Sequence, residues 1–190
     1  MTVLHRERVL RAATSSFLAH GYRSSVDEIA RRAGVAKQTV YHHFPNKDEL
    51  FKEVARELAG RVLFELDSPA KDLRESLLRF GLAYRERALG AQGIATFRTL
   101  VPEVPRFKAL ARSMYANSAG ELVRRLGDFL GAAMNAGRLR REEPRFAAEM
   151  FLSMLAGQDR IKRLFAVNDA EGEQERTARI VDSFLRAFAK

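Results

Sequence analysis

One segment of the sequence, SVDEIARRAGVAKQTVYHHFPNKDEL at residues 25–50, constrains the fold more than any other. Ser25 and Glu28 match the capping-box pattern S-x-x-E, in which two side chains satisfy free backbone N–H groups at the start of a helix. Gly34 can take a positive φ angle, and we expect it to end that helix. The pattern therefore predicts a short helix between Ser25 and Gly34.

Two further helix starts follow in the same segment. A second helix is predicted at about residues 37–43, and it is too short to be stable alone. Asn46 and Glu49 repeat the capping-box pattern and predict a longer third helix. A helix, a glycine-containing turn and a second helix form the arrangement that places the second helix in the major groove of DNA. The segment therefore predicts a DNA-binding protein.

This segment resembles the N-terminal helix-turn-helix of the TetR family of transcriptional regulators. The matching residues follow the order and spacing of that motif: Ile29, Ala30, Ala33, Gly34, Val35, Thr39, Val40, Tyr41, His43, Phe44, Asn46, Lys47, Leu50 and Phe51. The match extends from about Val9 to Phe51, and the remaining chain resembles the family in its length and helical pattern. Two positions depart from the family pattern. Ala36 stands where a serine often starts the recognition helix, and Gln38 stands where a small residue is common.

The composition indicates a helical protein without disulfides. Hydrophobic residues make up 46% of the 190 residues, which is enough for a sizeable core. The sequence has no cysteine, which excludes disulfides and thiolate metal sites and suits a reducing cytoplasm. The N-terminus lacks the apolar stretch of a signal peptide, and no apolar run approaches the roughly 20 residues of a membrane span. We expect a cytoplasmic, nucleoid-associated protein with no metal, cofactor or membrane partner.

The net charge of +9 favours an anionic partner. Residues 1–60 hold ten of the lysines and arginines against seven acidic residues, so most of the excess lies downstream. Charge alone leaves open whether these residues bind nucleic acid or form solvated helix faces. All four histidines fall within the first 43 residues. Together with the helix-turn-helix pattern, they favour double-stranded DNA as the partner.

The rest of the chain predicts an all-α fold of about nine helices, with a C-terminal helical bundle behind the three-helix DNA-binding part. Beyond the two short helices, the predicted helices cover residues 3–20, 47–66, 70–89, 91–100, 106–136, 144–165 and 172–189. Leu10, Ala13 and Phe17 mark the buried stripe of the first helix. No flexible linker is visible. We expect a DNA-binding domain at residues 1–46 and a ligand-binding and dimerisation domain at residues 47–190, joined by one continuous helix.

The chemistry of the side chains and the resemblance together assign the DNA contacts. Lys37 and Gln38 open the recognition helix, where lysine can bond guanine and glutamine can bond adenine. The other residues expected at the DNA, chiefly at phosphates, are Ser24, Ser25, Thr39, Tyr41, His42, His43 and Lys47. Capping alone would explain Ser25, and packing at the helix end would explain His43 almost as well. Val40 and Phe44 are expected in the core.

The resemblance also implies a small-molecule effector, of unknown identity, in a cavity between the middle helices. The candidate lining residues are Phe80, Tyr84, Phe97, Arg98, Met114, Tyr115, Phe129 and Met134. Aromatic and methionine side chains at helical spacing are more often plain core residues, so each candidate has that explanation as well.

The last two predicted helices carry wide apolar faces. Such faces usually pack in the core of the same chain. The resemblance implies that part of them forms a homodimer interface, and helix-turn-helix proteins generally bind palindromic sites as dimers. The interface candidates are Met150, Phe151, Met154, Leu155, Ile180, Val181, Phe184, Leu185 and Phe188.

The function predicted from the sequence is that of a ligand-responsive repressor that binds a palindromic operator as a homodimer. Two alternatives remain open. One is a ligand-independent architectural or cell-cycle factor on the same scaffold. The other is a helical carrier or enzyme with a basic surface, although the sequence shows no convincing acid–base pair, nucleophile–base pair or phosphate-binding glycine loop.

Overall fold

The computed structural model describes residues 2–67, 72–105, 108–167 and 172–189. Over these ranges the chain forms ten α-helices and no β-strand. The helices are α1 (Thr2–His20), α2 (Val26–Ala33), α3 (Lys37–His43), α4 (Lys47–Asp67), α5 (Leu73–Leu89), α6 (Ala91–Leu100), α7 (Lys108–Asn117), α8 (Ala119–Asn135), α9 (Pro144–Leu164) and α10 (Glu173–Ala187). The predicted all-α class is confirmed. Within the described ranges, no helix is both long and apolar enough to cross a lipid bilayer.

The prediction of one helix over residues 106–136 is wrong, because the helix breaks at Ser118. The Ser118 hydroxyl donates a hydrogen bond of 2.7 Å to the Met114 carbonyl. The Asn117 side-chain amide donates one of 2.7 Å to the Ser113 carbonyl. Such side-chain bonds compete with the backbone bonds that continue a helix. With this break the described residues form ten α-helices, in keeping with the predicted number of about nine. The expected helix starts at residues 70 and 106 lie outside the described residues.

By its internal contacts the chain divides into two compact units. The first unit comprises Met1–Leu58 and Ala95–Ser118, and the second comprises Ala59–Ile94 and Ala119–Lys190. The first unit contains the helix-turn-helix. The second contains most of the C-terminal helices.

The core of the first unit packs α1, α2 and α3 with the beginning of α4. Its buried members are Val9, Leu10, Ala13, Phe17, Val26, Ile29, Ala30, Ala33, Val40, Phe44, Leu50, Phe51 and Val54. The rings of Phe17 and Phe51 meet edge to face, with their centroids 4.6 Å apart. The predicted buried stripe of α1 is confirmed, as are the core positions of Val40 and Phe44.

Side-chain caps start two of the helices in the first unit. The Ser25 hydroxyl accepts a hydrogen bond of 3.1 Å from the backbone N–H of Glu28. The Asn46 side chain accepts one of 2.8 Å from the backbone N–H of Glu49. In a full capping box the Glu28 carboxylate would accept a hydrogen bond from the backbone N–H of Ser25. Here it instead accepts hydrogen bonds from Arg31 and Arg32, one turn further along α2.

Gly34 ends α2 in the left-handed conformation, with a φ angle of +63°. Its N–H and that of Val35 both donate to the Ala30 carbonyl, which closes the end of the helix. The absence of a side chain also lets the Arg8 guanidinium lie against this turn, where it donates a hydrogen bond of 3.2 Å to the Gly34 carbonyl.

The second unit is a helical bundle in which α9 packs against α5 and α8, and α10 packs against α5. Its buried core consists of Leu73, Leu77, Phe80, Leu122, Val123, Leu126, Leu130, Ala133, Met134, Leu139, Ala147, Ala148, Phe151, Leu152, Leu155, Ile180, Val181, Phe184 and Phe188. A series of aromatic rings crosses this core. The ring centroids of Phe151 and Phe184 are 4.7 Å apart, and those of Phe184 and Phe188 are 4.5 Å apart.

A buried ion-pair network joins α5, α9 and α10. Arg85 and Asp159 each expose 3% of the side chain, and their nitrogen and oxygen atoms are 2.7 Å apart. Arg85 also bonds the Leu155 carbonyl and the Glu173 carboxylate, and Arg176 bonds the second oxygen of Asp159. Burial by itself would raise the pKa of Asp159, but the hydrogen bonds from the two arginines outweigh it and hold this pKa below its ordinary value. The buried charges are tolerated because each has partners.

Replacing Gly34 with alanine is expected to lower the free energy of unfolding by about 1–2 kcal/mol, because alanine is strained at positive φ. Urea denaturation measures this change. Gly34→Asn is the matched control. Its Cβ meets the Arg8 guanidinium in the same way, but asparagine tolerates the left-handed conformation better, so its loss should be smaller. Equal losses in both variants would assign the effect to the contact with Arg8 instead of the φ angle.

Candidate nucleic-acid interface

Helix α3 presents four polar or aromatic side chains on one face. The four exposed residues are Lys37, Gln38, Tyr41 and His42. At 3.6 residues per turn they fall on an arc about 140° wide. Val40 and Phe44 are buried in the core of the first unit. The helix therefore has one face available for a partner and one that holds it in place.

Lys37 is paired with Asp27 of α2, with 3.0 Å between the ammonium nitrogen and a carboxylate oxygen. The hydrogen bond with Asp27 raises the pKa of Lys37, so the side chain stays charged at neutral pH. The side chains are 50% and 68% exposed, and an ion pair this open to solvent is weak. The Lys37 ammonium can therefore leave Asp27 for a phosphate or a base edge.

The two adjacent histidines of α3 lie in different environments. His42 is exposed and His43 is half-buried, with their ring centroids 5.2 Å apart. Burial lowers the pKa of His43, and the nearby charges of His42, His5 and Arg6 lower it further. His43 is consequently neutral near pH 7. Over the described part of the chain, no cluster of three or more side chains suited to a metal ion occurs.

The two serines before α2 also differ. Ser24 is buried, and its hydroxyl donates a hydrogen bond of 2.8 Å to the Ser16 carbonyl. This burial removes the Ser24 side chain from the candidate interface, contrary to the expectation from the sequence. Ser25 is exposed at the start of α2, and Thr39 is half-buried on α3.

Lys47 is held at the start of α4 by a tyrosine that the sequence analysis did not identify. Its ammonium donates a hydrogen bond to the Tyr22 carbonyl and lies 4.1 Å from the centroid of the Tyr22 ring. The Tyr22 hydroxyl donates to the Asp48 carboxylate. Burial lowers the pKa of Lys47, and the Asp48 charge opposes this effect. The sequence offered one indication of this role, because Tyr22 is an aromatic residue directly after Gly21, the glycine that follows the end of α1.

The eight effector-pocket candidates are divided between the two units. Phe80 and Met134 are buried in the core of the second unit, and Tyr84 and Phe129 pack against that core. Met114 packs against the core of the first unit. The other three are exposed: Phe97, Arg98 and Tyr115. Phe80 and Met134 are therefore core residues, which is the alternative explanation that the sequence allowed for each candidate. Neither compact unit contains all eight candidates.

Most of the dimer-interface candidates are core residues of their own chain. Six of them are buried: Phe151, Leu155, Ile180, Val181, Phe184 and Phe188. Each of these residues is at most 8% exposed, so they offer little surface to a second copy, which corrects the expectation from the sequence. Met150, Met154 and Leu185 are partly buried at the edge of the core.

Comparison with known families agrees with this architecture. An exposed recognition helix in a helix-turn-helix, followed by a helical bundle, defines a DNA-binding transcriptional regulator. Residues 9–54 match the family of tetR-type bacterial regulatory proteins, and residues 75–190 match the C-terminal domain of AefR-like transcriptional repressors. The chain belongs to the TetR family of transcriptional regulators.

Individual relatives show how far the similarity extends. The helix-turn-helix regulator YhgD of Bacillus subtilis is 37% identical over 81 residues, which cover 42% of this chain and 40% of YhgD. The regulator Mb2274c of Mycobacterium bovis is 31% identical over 146 residues, or 76% of this chain and 75% of that protein. The solved structure of the flavonoid-responsive regulator FrrA is 30% identical, covers 96% of each chain and has a TM-score of 0.74. The match to YhgD thus spans less than half of that relative.

The environment of Tyr22 predicts an unusual alkaline titration. Burial, then the hydrogen bond to Asp48, raises the pKa of Tyr22 from 10 to about 12. A near-ultraviolet titration should show one tyrosine that ionises last, and Tyr22→Phe should remove that transition. Because folding favours the neutral phenol, its contribution to stability is complete below pH 10 and is lost as the pH rises toward 12. Asp48→Asn is expected to lower the pKa of this last transition without removing the transition itself, because burial still raises the pKa of Tyr22. Persistence of that transition in Tyr22→Phe would contradict the assignment.

Proposed function

We propose that this TetR-family regulator represses transcription by binding a palindromic operator as a homodimer, and that a small effector relieves the repression. One observation carries the DNA-binding part. The outer face of α3 is exposed and bears Lys37, Gln38, Tyr41 and His42, while its inner face is buried in the core. Residues 1–46 are proposed to bind DNA, and residues 47–190 to bind the effector and form the dimer.

Two kinds of DNA contact are proposed. Lys37 and Gln38 at the start of α3 bond base edges in the major groove. The residues proposed at backbone phosphates are Ser25, Thr39, Tyr41, His42, His43 and Lys47. The ammonium of Lys47 stands at the start of α4, where the helix dipole also attracts an anion. The contacts to Tyr22 hold it there before DNA arrives.

The proposed switch acts through α4, which runs without a break from Lys47 to Asp67. An effector that binds one state of the C-terminal part more tightly would shift this helix and change the separation of the two recognition helices in the dimer. Half-sites have a fixed spacing on the duplex, so such a shift weakens both contacts together. FrrA is described as flavonoid-responsive, and its 30% identity supports an effector here.

A ligand-independent DNA-binding factor is the second candidate. Two of the eight pocket candidates, Phe80 and Met134, are buried in the core of the second unit, which favours it. Genome-wide footprinting separates the two proposals. A ligand-responsive repressor occupies a few palindromes near promoters, whereas an architectural factor occupies many dispersed sites.

The recognition-helix assignment predicts the effect of two sets of substitutions. Lys37→Ala combined with Tyr41→Ala should weaken operator binding by about tenfold or more, because it removes a base contact and a phosphate contact. Lys47→Ala should weaken binding to all sequences and reduce the slope of log affinity against log salt by about one. Gel-shift titrations over a range of salt concentrations measure both.

The control for these titrations is Arg124→Ala, which removes an exposed arginine of α8 that pairs with Glu121 and Asp128. It should leave operator affinity unchanged. If the double variant of α3 bound the operator as tightly as the native chain, the recognition helix would lie elsewhere.

The proposed dimer surface is the exposed face of α9. Phe146 and Ile161 are 50% and 48% exposed there, and a Cβ added at Gly157 would meet no atom within 4 Å outside the adjoining backbone of its own helix. Gly157→Glu should therefore preserve the fold of the single chain and separate the dimer, because it places an unpaired charge in the contact. Light scattering and circular dichroism measure the two effects. Ala91→Glu, at the exposed start of α6, is the control and should stay dimeric. A monomeric native chain would refute the proposed dimer.

A further inference from the structure

A cleft between α1 and α2 in the first unit is lined chiefly by arginines. Its volume is about 410 Å³, and its lining residues are Arg8, Arg11, Ala12, Ser15, Arg32 and Ala33. Ala33 is buried and Ala12 packs against the core, so these small side chains lie at the base of the cleft. The three arginines and the exposed Ser15 supply its polar groups.

The hydrogen-bonding capacity of these arginines is only partly used. The Arg8 guanidinium donates to the Gly34 carbonyl at 3.2 Å, and that of Arg32 donates to the Glu28 carboxylate at 2.6 Å. Among the described residues, none accepts a hydrogen bond from Arg11. A guanidinium has five N–H donors, so donors remain available on all three side chains.

The charges around the cleft are not balanced. The single carboxylate of Glu28 is shared between Arg32 and Arg31, the latter outside the cleft. Glu7 stands one helical turn before Arg11, and no ion pair joins the two among the described residues. The cleft itself is lined by three arginines, so a positive excess remains even when Glu28 and Glu7 are both counted against them. Such a concave basic site attracts an anion.

We propose that this cleft binds a phosphate group. Arg11 and Arg32 are its main ligands, because the planar guanidinium donates two parallel hydrogen bonds to phosphate oxygens. The Ser15 hydroxyl adds a donor, and Arg8 connects the cleft to the turn at Gly34 that precedes the recognition helix.

The phosphate group has two possible sources. One is the DNA backbone beside the bases that α3 contacts, which rests on the proposed function, and the position of the cleft in the helix-turn-helix unit favours it. The other is a free phosphate-bearing molecule. Both use the same ligand chemistry, so the experiment has one arm for each source.

The test uses the full chain with Arg11→Ala and Arg32→Ala. Arg31→Ala is the matched control, because Arg31 also pairs with Glu28 on α2 but does not line the cleft. In the first arm, inorganic phosphate is titrated calorimetrically at constant ionic strength. Each cleft variant should weaken binding by about tenfold, as expected for the loss of a charged hydrogen-bond donor, and the control should not. Arg11→Lys keeps the charge but lacks the planar guanidinium, so its phosphate affinity should lie between those of Arg11→Ala and the native chain.

In the second arm, the salt dependence of binding is measured with duplexes that carry short or extended flanks. If the phosphate belongs to DNA, each cleft variant reduces the slope of log affinity against log salt by about one on the extended duplex. Unchanged slopes with weakened phosphate binding identify a free ligand as the source. Absence of saturable phosphate binding in the native chain, together with unchanged slopes, overturns the proposal. The first arm needs no DNA, so its result stands even if the proposed function fails.

Discussion

The proposed DNA-binding surface depends on burial of the inner face of a helix that is too short to be stable alone. Helix α3 has seven residues, and it is held by the burial of Val40 and Phe44 among side chains of α1, α2 and α4. The same packing turns Lys37 and Tyr41 outward. A contact surface arranged before its partner binds loses less entropy on binding. The glycine turn at Gly34 is needed for the same reason, since it sets the path of the chain into α3.

Buried and exposed charged groups serve different purposes in this protein. In the second unit, Arg85 and Asp159 are buried and fully partnered, so they join three helices in one arrangement. In the first unit, Lys37 has only an exposed partner, and no described residue bonds Arg11. Such groups contribute little to stability and remain available to phosphates. Lys37 and Arg11 are therefore available for exchange in the unit proposed to bind DNA.

Much of the fold was predictable from the sequence, and the errors have two physical causes, ambiguous local preferences and contacts between residues distant in sequence. The starts of α2 and α4 were predicted because a cap needs only residues within one turn, as Ser25 and Asn46 show. The break at Ser118 was missed, because serine and asparagine are also tolerated inside helices on their solvent side. Tyr22 was missed because its contacts with Lys47 join residues far apart in sequence. Ser24 was misassigned, since its burial depends on packing against α1.

The sequence by itself determined the class of the fold, the order of the helices and the helix-turn-helix, because these follow from local hydrogen bonding and from the period of apolar residues. Tertiary structure alone decided which apolar faces are used within the chain. The wide faces of α9 and α10 looked the same in the sequence whether they packed inward or against a second copy. Packing of α9 against α5 and α8, and of α10 against α5, buried residues such as Phe151 and Phe184 in the core of their own chain. The apolar pattern shows that a face must be covered, but which element covers it depends on contacts between residues distant in sequence.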